Sequence, residues 1–442
     1  MATQFSVEEG RKWQAPFFTI WTGQMLSLLG SQLVQFALIW YLTEQTGSAK
    51  VLATASLVGL LPGVFLGPLI GTLVDRWNRR RILIVADTLI ALATVILAVM
   101  FALGSIQLWH IYMMMFFRAV GGSFHHSAMG SSTSLMVPKE HLTRIQGINQ
   151  TLNGGLNLIS APLGALLLQV LPMQGILAID VVSALFAIVP LFFIAIPQPE
   201  RTESGESQKT SVMQDLQAGF RYVLAWPGLL IILAMAMTIN LLLHPASSLM
   251  PLLVTKHFAG GVGELAKLEV AFGIGVIIGG LGLGVWGGFK NRAATSMFGL
   301  VGLGIGFLIL GMAPASMFIV ALGGSVFAGI MIPITNGAIG AILQGSVNPD
   351  MQGRVFTLVS SAAMAASPIG LIMAAPIAVT FGIQSWYWFG GAVCALMGAG
   401  GFFIPALMNL EKDAQKQNDA LQLEAQQQAG AQDGLLIEIE TA

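Results

Sequence analysis

Long apolar stretches alternate with short polar ones along almost the whole chain. About 20 apolar residues in a helix are needed to cross the roughly 30 Å hydrocarbon core of a bilayer. Twelve stretches meet that length: 16–43, 50–74, 82–103, 108–136, 144–171, 174–196, 227–256, 264–288, 294–313, 315–345, 353–382 and 384–408. None shows the two-residue alternation of a membrane barrel, so the pattern predicts helices. The polar segment 197–225 divides them six and six. The expected fold class is therefore an all-α membrane protein of twelve transmembrane helices in two six-helix pseudo-repeats. The expected organisation is a first bundle over 1–196, a linker over 197–225, a second bundle over 226–408 and a polar tail over 409–442. Within the linker, Val212, Leu216, Phe220 and Leu224 share one face, which predicts a short amphipathic helix in 211–224 lying on the membrane surface.

Composition supports this pattern. Of 442 residues, 55% are hydrophobic and only 9% are Asp, Glu, Lys or Arg, against roughly 25% charged in a soluble domain. That excludes a water-soluble enzyme or a disordered scaffold. The formal net charge of −1 gives no basic field for nucleic acid. Cys394 is the single cysteine and has no partner for an intrachain disulfide. The first apolar stretch follows Arg11 and Lys12 and is too long for a cleavable signal, so it reads as a retained span. Sixteen of the 20 basic residues fall on one side of the twelve spans, Lys50, Lys256 and Lys267 on the other, and Arg118 inside a span. The positive-inside rule then places both termini and the linker in the cytoplasm.

The two halves resemble each other at an offset of about 210 residues: VPKEHLTR (137–144) matches VNPDMQGR (347–354), and Ala161-Pro162-Leu163-Gly164 matches Ser367-Pro368-Ile369-Gly370. GTLVDRWNR (71–79) has a counterpart in GVWGGFKNR (284–292), without the acid. Parallel six-span repeats are a transporter architecture whose site lies near the midplane between the halves. Gly63, Gly67 and Gly71 recur every four residues, as do Gly280, Gly284 and Gly288, a spacing that lets helix backbones approach closely in lipid.

The run from Gly71 through Asp75 and Arg76 to Arg79, Arg80 and Arg81 resembles the signature loop between spans two and three of the major facilitator superfamily. LIWYLTEQTGSA (38–49), the DRWNRRR loop and the VNPDMQGR loop resemble the macrolide-efflux and siderophore-exporter branch, over nearly all of residues 15–408. The resemblance implies the major facilitator fold, alternating access, proton coupling and a monomer in a bacterial inner membrane. It also implies a gating role for Gly71, Asp75, Arg76, Arg79 and Arg80, with Arg354 near the start of span eleven as a partner for Asp75. Two further patterns of drug antiporters are partly kept. Gly121 replaces the glutamine expected after Arg118, and the fifth-span motif survives as Asn157, Ala161 and Pro162.

An ionisable side chain at mid-membrane costs at least ~2.5–3.5 kcal/mol on insertion scales, so each marks a functional candidate. Arg118, His125, Asp180 and Asp87 are the candidates for proton coupling; Arg118, Gly122 and His125 share one face of span four. Asp87 is expected within reach of Arg79–Arg81, and of the adjacent pair His125 and His126 only one is expected to face a cavity. Candidates for substrate contact are Gln24, Ser31 and Gln35 on span one, Asn153 and Asn157 on span five, Asn240 and His244 on span seven, and Asn336 on span ten. Amides in lipid are costly unless they face protein or water. There is no phosphate-binding Gly-Lys-Ser/Thr loop, no metal-ligand spacing and no hydrolase constellation, so no enzyme activity, cofactor or metal is expected.

These features lead to a secondary transporter whose partners are a small molecule, protons and the bilayer. The resemblance favours export of a macrolide-like amphipathic drug in exchange for protons. A siderophore or other anionic metabolite is the alternative, favoured by Arg118; a transport-dead sensor or scaffold acting through the tail is a more distant one.

Overall fold

The structure is a computed structural model that describes residues 13–198, 220–224, 226–347 and 349–412. It contains twelve long helices: α1 Gln14–Thr46, α2 Ala49–Arg76, α3 Arg79–Ala102, α4 Leu108–Met136, α5 Lys139–Val170, α6 Met173–Phe193, α7 Pro227–Leu252, α8 Val262–Trp286, α9 Arg292–Met312, α10 Phe318–Ser346, α11 Pro349–Phe381 and α12 Gln384–Gly401. A single π-helical turn, Leu253–His257, continues α7, and a short helix Pro405–Met408 follows α12. Residues 220–224 are helical up to Leu224; the rest of the expected amphipathic helix and the tail beyond 412 lie outside the described residues.

Nine of the twelve helices are long and apolar enough to span a membrane by themselves, among the described residues. The other three are α4, α5 and α12. The first two carry Arg118, His125, His126, Asn149 and Asn153, so the polar positions that lower their hydropathy are the ones that build a site.

The repeat extends to the packing. In the first half α1 packs on α5, α2 on α4, and α3 on α4 and α6; in the second half the equivalent pairs α7–α11, α8–α10, α9–α10 and α9–α12 are in contact. The halves meet through α2–α11 and α5–α8, themselves exchanged by the same two-fold relation. Equivalent residues do equivalent work. Asn78 caps α3 by accepting from the amide of Arg81, and Asn291 caps α9 by accepting from Ala293 and Ala294. Gly164 of α5 lets Phe36 of α1 approach to where a Cβ would stand 2.7 Å from its ring. Gly370 of α11 admits the carbonyl of Leu241 of α7 in the same way. Of the glycines expected to make close contacts, Gly288 at φ 82° stands where a Cβ would lie 2.8 Å from the Thr295 hydroxyl, but Gly63, Gly67, Gly280 and Gly284 are open. A Cβ at Gly67, Gly280 or Gly284 would meet nothing within 4 Å, and one at Gly63 only the Ser123 hydroxyl at 3.8 Å. Periodicity identifies a small-residue stripe but not the side on which the neighbouring helix lies.

The apolar core is asymmetric along the bundle. Let the basic end be the one that carries the loop at Asn78. At the opposite, outer end, one continuous core joins Leu33, Leu42, Leu52, Leu97 and Ile176 of the first half to Leu249, Leu252, Leu303, Ala374 and Trp386 of the second. Toward the basic end the first half keeps cores of its own, one around Ile20, Ile70, Leu83 and Leu191 and another around Phe17, Val137 and Ile145. Hydrogen bonds also cross at the outer end. The hydroxyls of Ser56 and Ser248 lie 2.6 Å apart, and Ser248 donates to the carbonyl of Leu52 at 3.3 Å. There α1 ends at Gly47 in the left-handed region (φ 53°), with the Lys256 stem packed 3.3 Å from where a Cβ would be. The halves are thus sealed together at the outer end.

Candidate functional site

A cavity of about 890 Å³ lies between the halves. It begins at the level of Gln35, Ser56, Met115 and Ser248 and extends to Trp21, Asn149 and Thr133, the last within one turn of the basic end of α4. Most of its wall comes from α1 to α5; the second half contributes His244, Ser247 and Ser248 of α7 and Leu371 of α11.

Two acid–base clusters stand one above the other on that wall. In the deeper one the Arg118 guanidinium reaches Asp180 Oδ2 at 2.5 Å and also touches the Thr94 hydroxyl. Thr94 donates to Asp180 Oδ2 at 2.8 Å and Ser31 donates to Oδ1 at 3.0 Å. In the cluster nearer the basic end, His125 Nδ1 lies 2.7 Å from Asp87 Oδ1, and the Gln24 amide donates to Asp87 Oδ2 at 2.9 Å. The two clusters are related by a seven-residue step on three helices at once: Gln24 to Ser31 on α1, Asp87 to Thr94 on α3, and His125 back to Arg118 on the antiparallel α4. Seven residues are nearly two turns, so each step keeps the same face and moves about 10 Å along the axis.

The clusters differ in access. The two carboxylates are both buried, Asp180 at 1% and Asp87 at 3% exposed, and the difference lies in the bases, Arg118 at 9% and His125 at 20%. Buried charges need a partner and further hydrogen bonds, and Asp180 has both. Arg118, Asp87 and His125 all line the cavity. Because Arg118 is matched by Asp180, the unbalanced group on the wall is the carboxylate of Asp87 whenever His125 is neutral.

The candidates from the sequence separate accordingly. Ser31, Gln35, Asn153 and His244 line the cavity. Gln24 stands behind it, buried, holding Asp87, and its own Oε1 has no partner among the described residues. Asn240 donates to the Ala236 carbonyl of its own helix, and Asn336 is exposed on α10; neither is among the lining residues. Asp87 is placed with Gln24 and His125 rather than with Arg79–Arg81, because seven residues of helix carry it about 10 Å from Arg80. Both His125 and His126 line the cavity, contrary to expectation, since a concave wall this wide spans the 100° between consecutive positions. Arg80 is bonded inside the first half, to the carbonyls of Leu191 and Phe192 at the end of α6. Arg79 is buried, and its amide donates to Gln198. The side chains of Asp75, Arg76, Asn157 and Arg354, and the surroundings of Gly71, lie outside the described residues. Thr94 was missed: a lone threonine in an apolar run gives no signal until it is set seven residues from Asp87. No group of three or more metal-ligating side chains occurs among the described residues.

Comparison with known proteins agrees with this architecture. The family model of the Major Facilitator Superfamily matches residues 20–292. The chain is 34% identical over 387 residues to macrolide efflux protein A of Streptococcus pyogenes, covering 88% of this chain and 95% of that protein. It is 33% identical over 325 residues to macrolide efflux protein A of Enterococcus faecalis, covering 74% and 100%. With the multidrug efflux pump Tap of Mycolicibacterium fortuitum it shares 24% over 414 residues, covering 90% and 98%. Among solved structures, a bacterial homologue of the human lysosomal transporter Spinster superposes with a TM-score of 0.64 at 14% identity, over 91% of this chain and 97% of that one. A D-xylose–proton symporter superposes at 0.65 and 15%, over 88% and 98%. At these identities the structural likeness is one of fold.

Proposed function

Since the chain belongs to the Major Facilitator Superfamily, we propose that it exports a cationic amphipathic molecule of the macrolide kind in exchange for protons, by alternating access. The observation that carries this reading is the charge balance of the cavity wall: Arg118 is neutralised by Asp180, and Asp87, held by Gln24, has the titratable His125 as its ionisable neighbour. An amine on an otherwise apolar cargo and a proton then compete for the same carboxylate. The efflux relatives support the direction of transport and the class of cargo. An anionic cargo rested on an unpaired Arg118, and Asp180 removes that argument.

In this reading the cavity loads from the basic side, taken as cytoplasmic from the placement of lysine and arginine, and the protein sits in a bacterial inner membrane with both termini inside. The cargo enters between Trp21, Met129 and Asn149, places its amine near Asp87, and lays its apolar body against Met25, Leu28, Leu60 and Met115. Methionines repack around varied shapes, which suits a broad substrate range. After the halves rock and the outer seal opens, protons from outside load Asp87 and His125 and release the cargo. Either half alone leaves the cavity incomplete, and one chain supplies both.

The other half-cycle needs a seal at the basic end. The end of α2, with Asp75 and Arg76, and the start of α11, with Arg354, supply it. Exposed contacts of this type are worth ~0.3–1 kcal/mol each, strong enough to hold and weak enough to break every cycle. Asp75→Asn is expected to leave membrane insertion intact and slow transport about tenfold, the loss of one or two such contacts from the closed state. Full transport by that variant would remove the gate assignment.

The function itself is tested in a pump-deficient bacterium. Accumulation of a macrolide bearing an amino sugar is expected to fall on expression of the chain and to recover when an uncoupler collapses the proton gradient. Unchanged accumulation with the protein confirmed in the membrane would overturn the reading.

A further inference from the structure

The three consecutive arginines after Asn78 have different surroundings, and the third is left over. Arg79 is buried and Arg80 is bonded to the end of α6. Arg81 points outward, and its guanidinium makes no hydrogen bond or ion pair among the described residues; only its backbone amide is engaged, by Asn78. It stands at the head of a recessed groove of about 550 Å³ on the lipid-facing side of α3 and α4. The groove is walled by Ile82, Val85 and Leu89 of α3 and by Val120, Gly121 and Phe124 of α4, and its head is formed by Trp77, Asn78 and Arg81.

We propose that this groove is a binding site for one anionic phospholipid of the leaflet on the basic side, with its phosphate on Arg81 and one acyl chain along α3. From Arg81 to Leu89 the groove follows eight residues of α3, about 12 Å of helix, within the ~15 Å depth of hydrocarbon in one leaflet. Trp77 is 55% exposed at the head, where an indole sits at the headgroup level. The Asn78 carbonyl oxygen is used to cap α3, leaving its amide hydrogens for a phosphate oxygen. Below the head the wall is wholly apolar, so the only polar recognition is where a phosphate would lie. A second groove, about 420 Å³ between α1 and α6, lined by Leu26, Leu33, Ile179, Val182 and Phe186, has no charged residue in its wall. It takes hydrocarbon without regard to headgroup and serves as an internal control. Because α3 carries Asp87 on its opposite face, the lipid sits on the helix that holds the proton site, but its binding does not depend on what the cavity transports.

The test uses the full chain in nanodiscs containing a phosphatidylglycerol with a photoreactive group on its acyl chain, followed by peptide mapping. Labelling of α3 and α4 is expected with phosphatidylglycerol and much less with the matching phosphatidylcholine. Arg81→Gln should reduce it about fivefold, the worth of one basic side chain beside an anionic headgroup, while Arg81→Lys retains it. Val85→Trp, at a position 67% exposed and therefore harmless to the core, should block the groove with the charge untouched. Labelling of the α1–α6 groove should not change in any variant. Equal labelling by the two lipids, or labelling of α3 and α4 indifferent to both Arg81→Gln and Val85→Trp, would overturn the proposal.

Discussion

Arg118→Gln is expected to destabilise the protein by about 3–5 kcal/mol, the cost of leaving one member of a buried ion pair alone, and to abolish transport. Asp180 is 1% exposed, and its remaining donors are the neutral hydroxyls of Thr94 and Ser31. Two hydroxyls do not replace a guanidinium beside a carboxylate that is 1% exposed. Adding Asp180→Asn to Arg118→Gln removes the stranded charge, so the double variant should recover most of the lost thermal stability. It should remain impaired in transport only if the pair does more than hold α4 against α6. Thermal unfolding in detergent of the two single variants and the double variant measures the coupling directly. An unchanged unfolding temperature for Arg118→Gln would show that Asp180 does not depend on the pair.

Asp87→Asn is expected to do the reverse, costing little stability and most of the function. Asparagine keeps an acceptor for Gln24 or His125, and the Gln24 amide, with its free oxygen, can turn to receive the new donor. What disappears is the charge. A hydrogen bond between a cationic amine and a carboxylate contributes about 1.5–3 kcal/mol, so apparent affinity for a cationic macrolide should fall about 10- to 100-fold, with a neutral analogue much less affected. The pH dependence of export should flatten in the same variant. Transport assays in vesicles at several external pH values, with the charged and neutral cargo in parallel, separate these outcomes. Equal loss for both cargoes would mean that Asp87 is structural.

The fold was largely legible because membrane helices are written in blocks of apolar residues. The range 108–136 for α4 is recovered without error, and the repeat is visible down to Asn78 and Asn291, which cap equivalent helices. The site was legible as a set of residues rather than as a set of partners. Arg118, His125, Asp87 and Asp180 stand out since charge in lipid is rare, but the pairings depend on how four helices are rotated about their axes. Asp87 illustrates the limit: proximity in sequence suggested Arg79–Arg81, and the helix rise together with the facing α1 and α4 decided for Gln24 and His125. Asn240 illustrates another, since an amide in lipid can be satisfied by its own helix. The glycine stripes failed for a related reason: on α8 the close approaches to α10 are made by Gly275 and Gly279, not by Gly280 and Gly284.

The apolar core that fuses the two halves at the outer end has one more consequence. That seal, with Leu33, Leu42, Leu52, Leu249 and Ala374 in one cluster, is hydrophobic, and burial of apolar surface from water loses strength on cooling. The seal proposed for the basic end, built on Asp75, Arg76 and Arg354, is ionic and is screened by salt. If the proposed gates operate, they are expected to respond to different variables: cold would loosen the outer one, and high ionic strength the inner one. Under the proposed cycle, temperature and salt are each expected to shift the balance between loading and release, acting at opposite ends of the pathway.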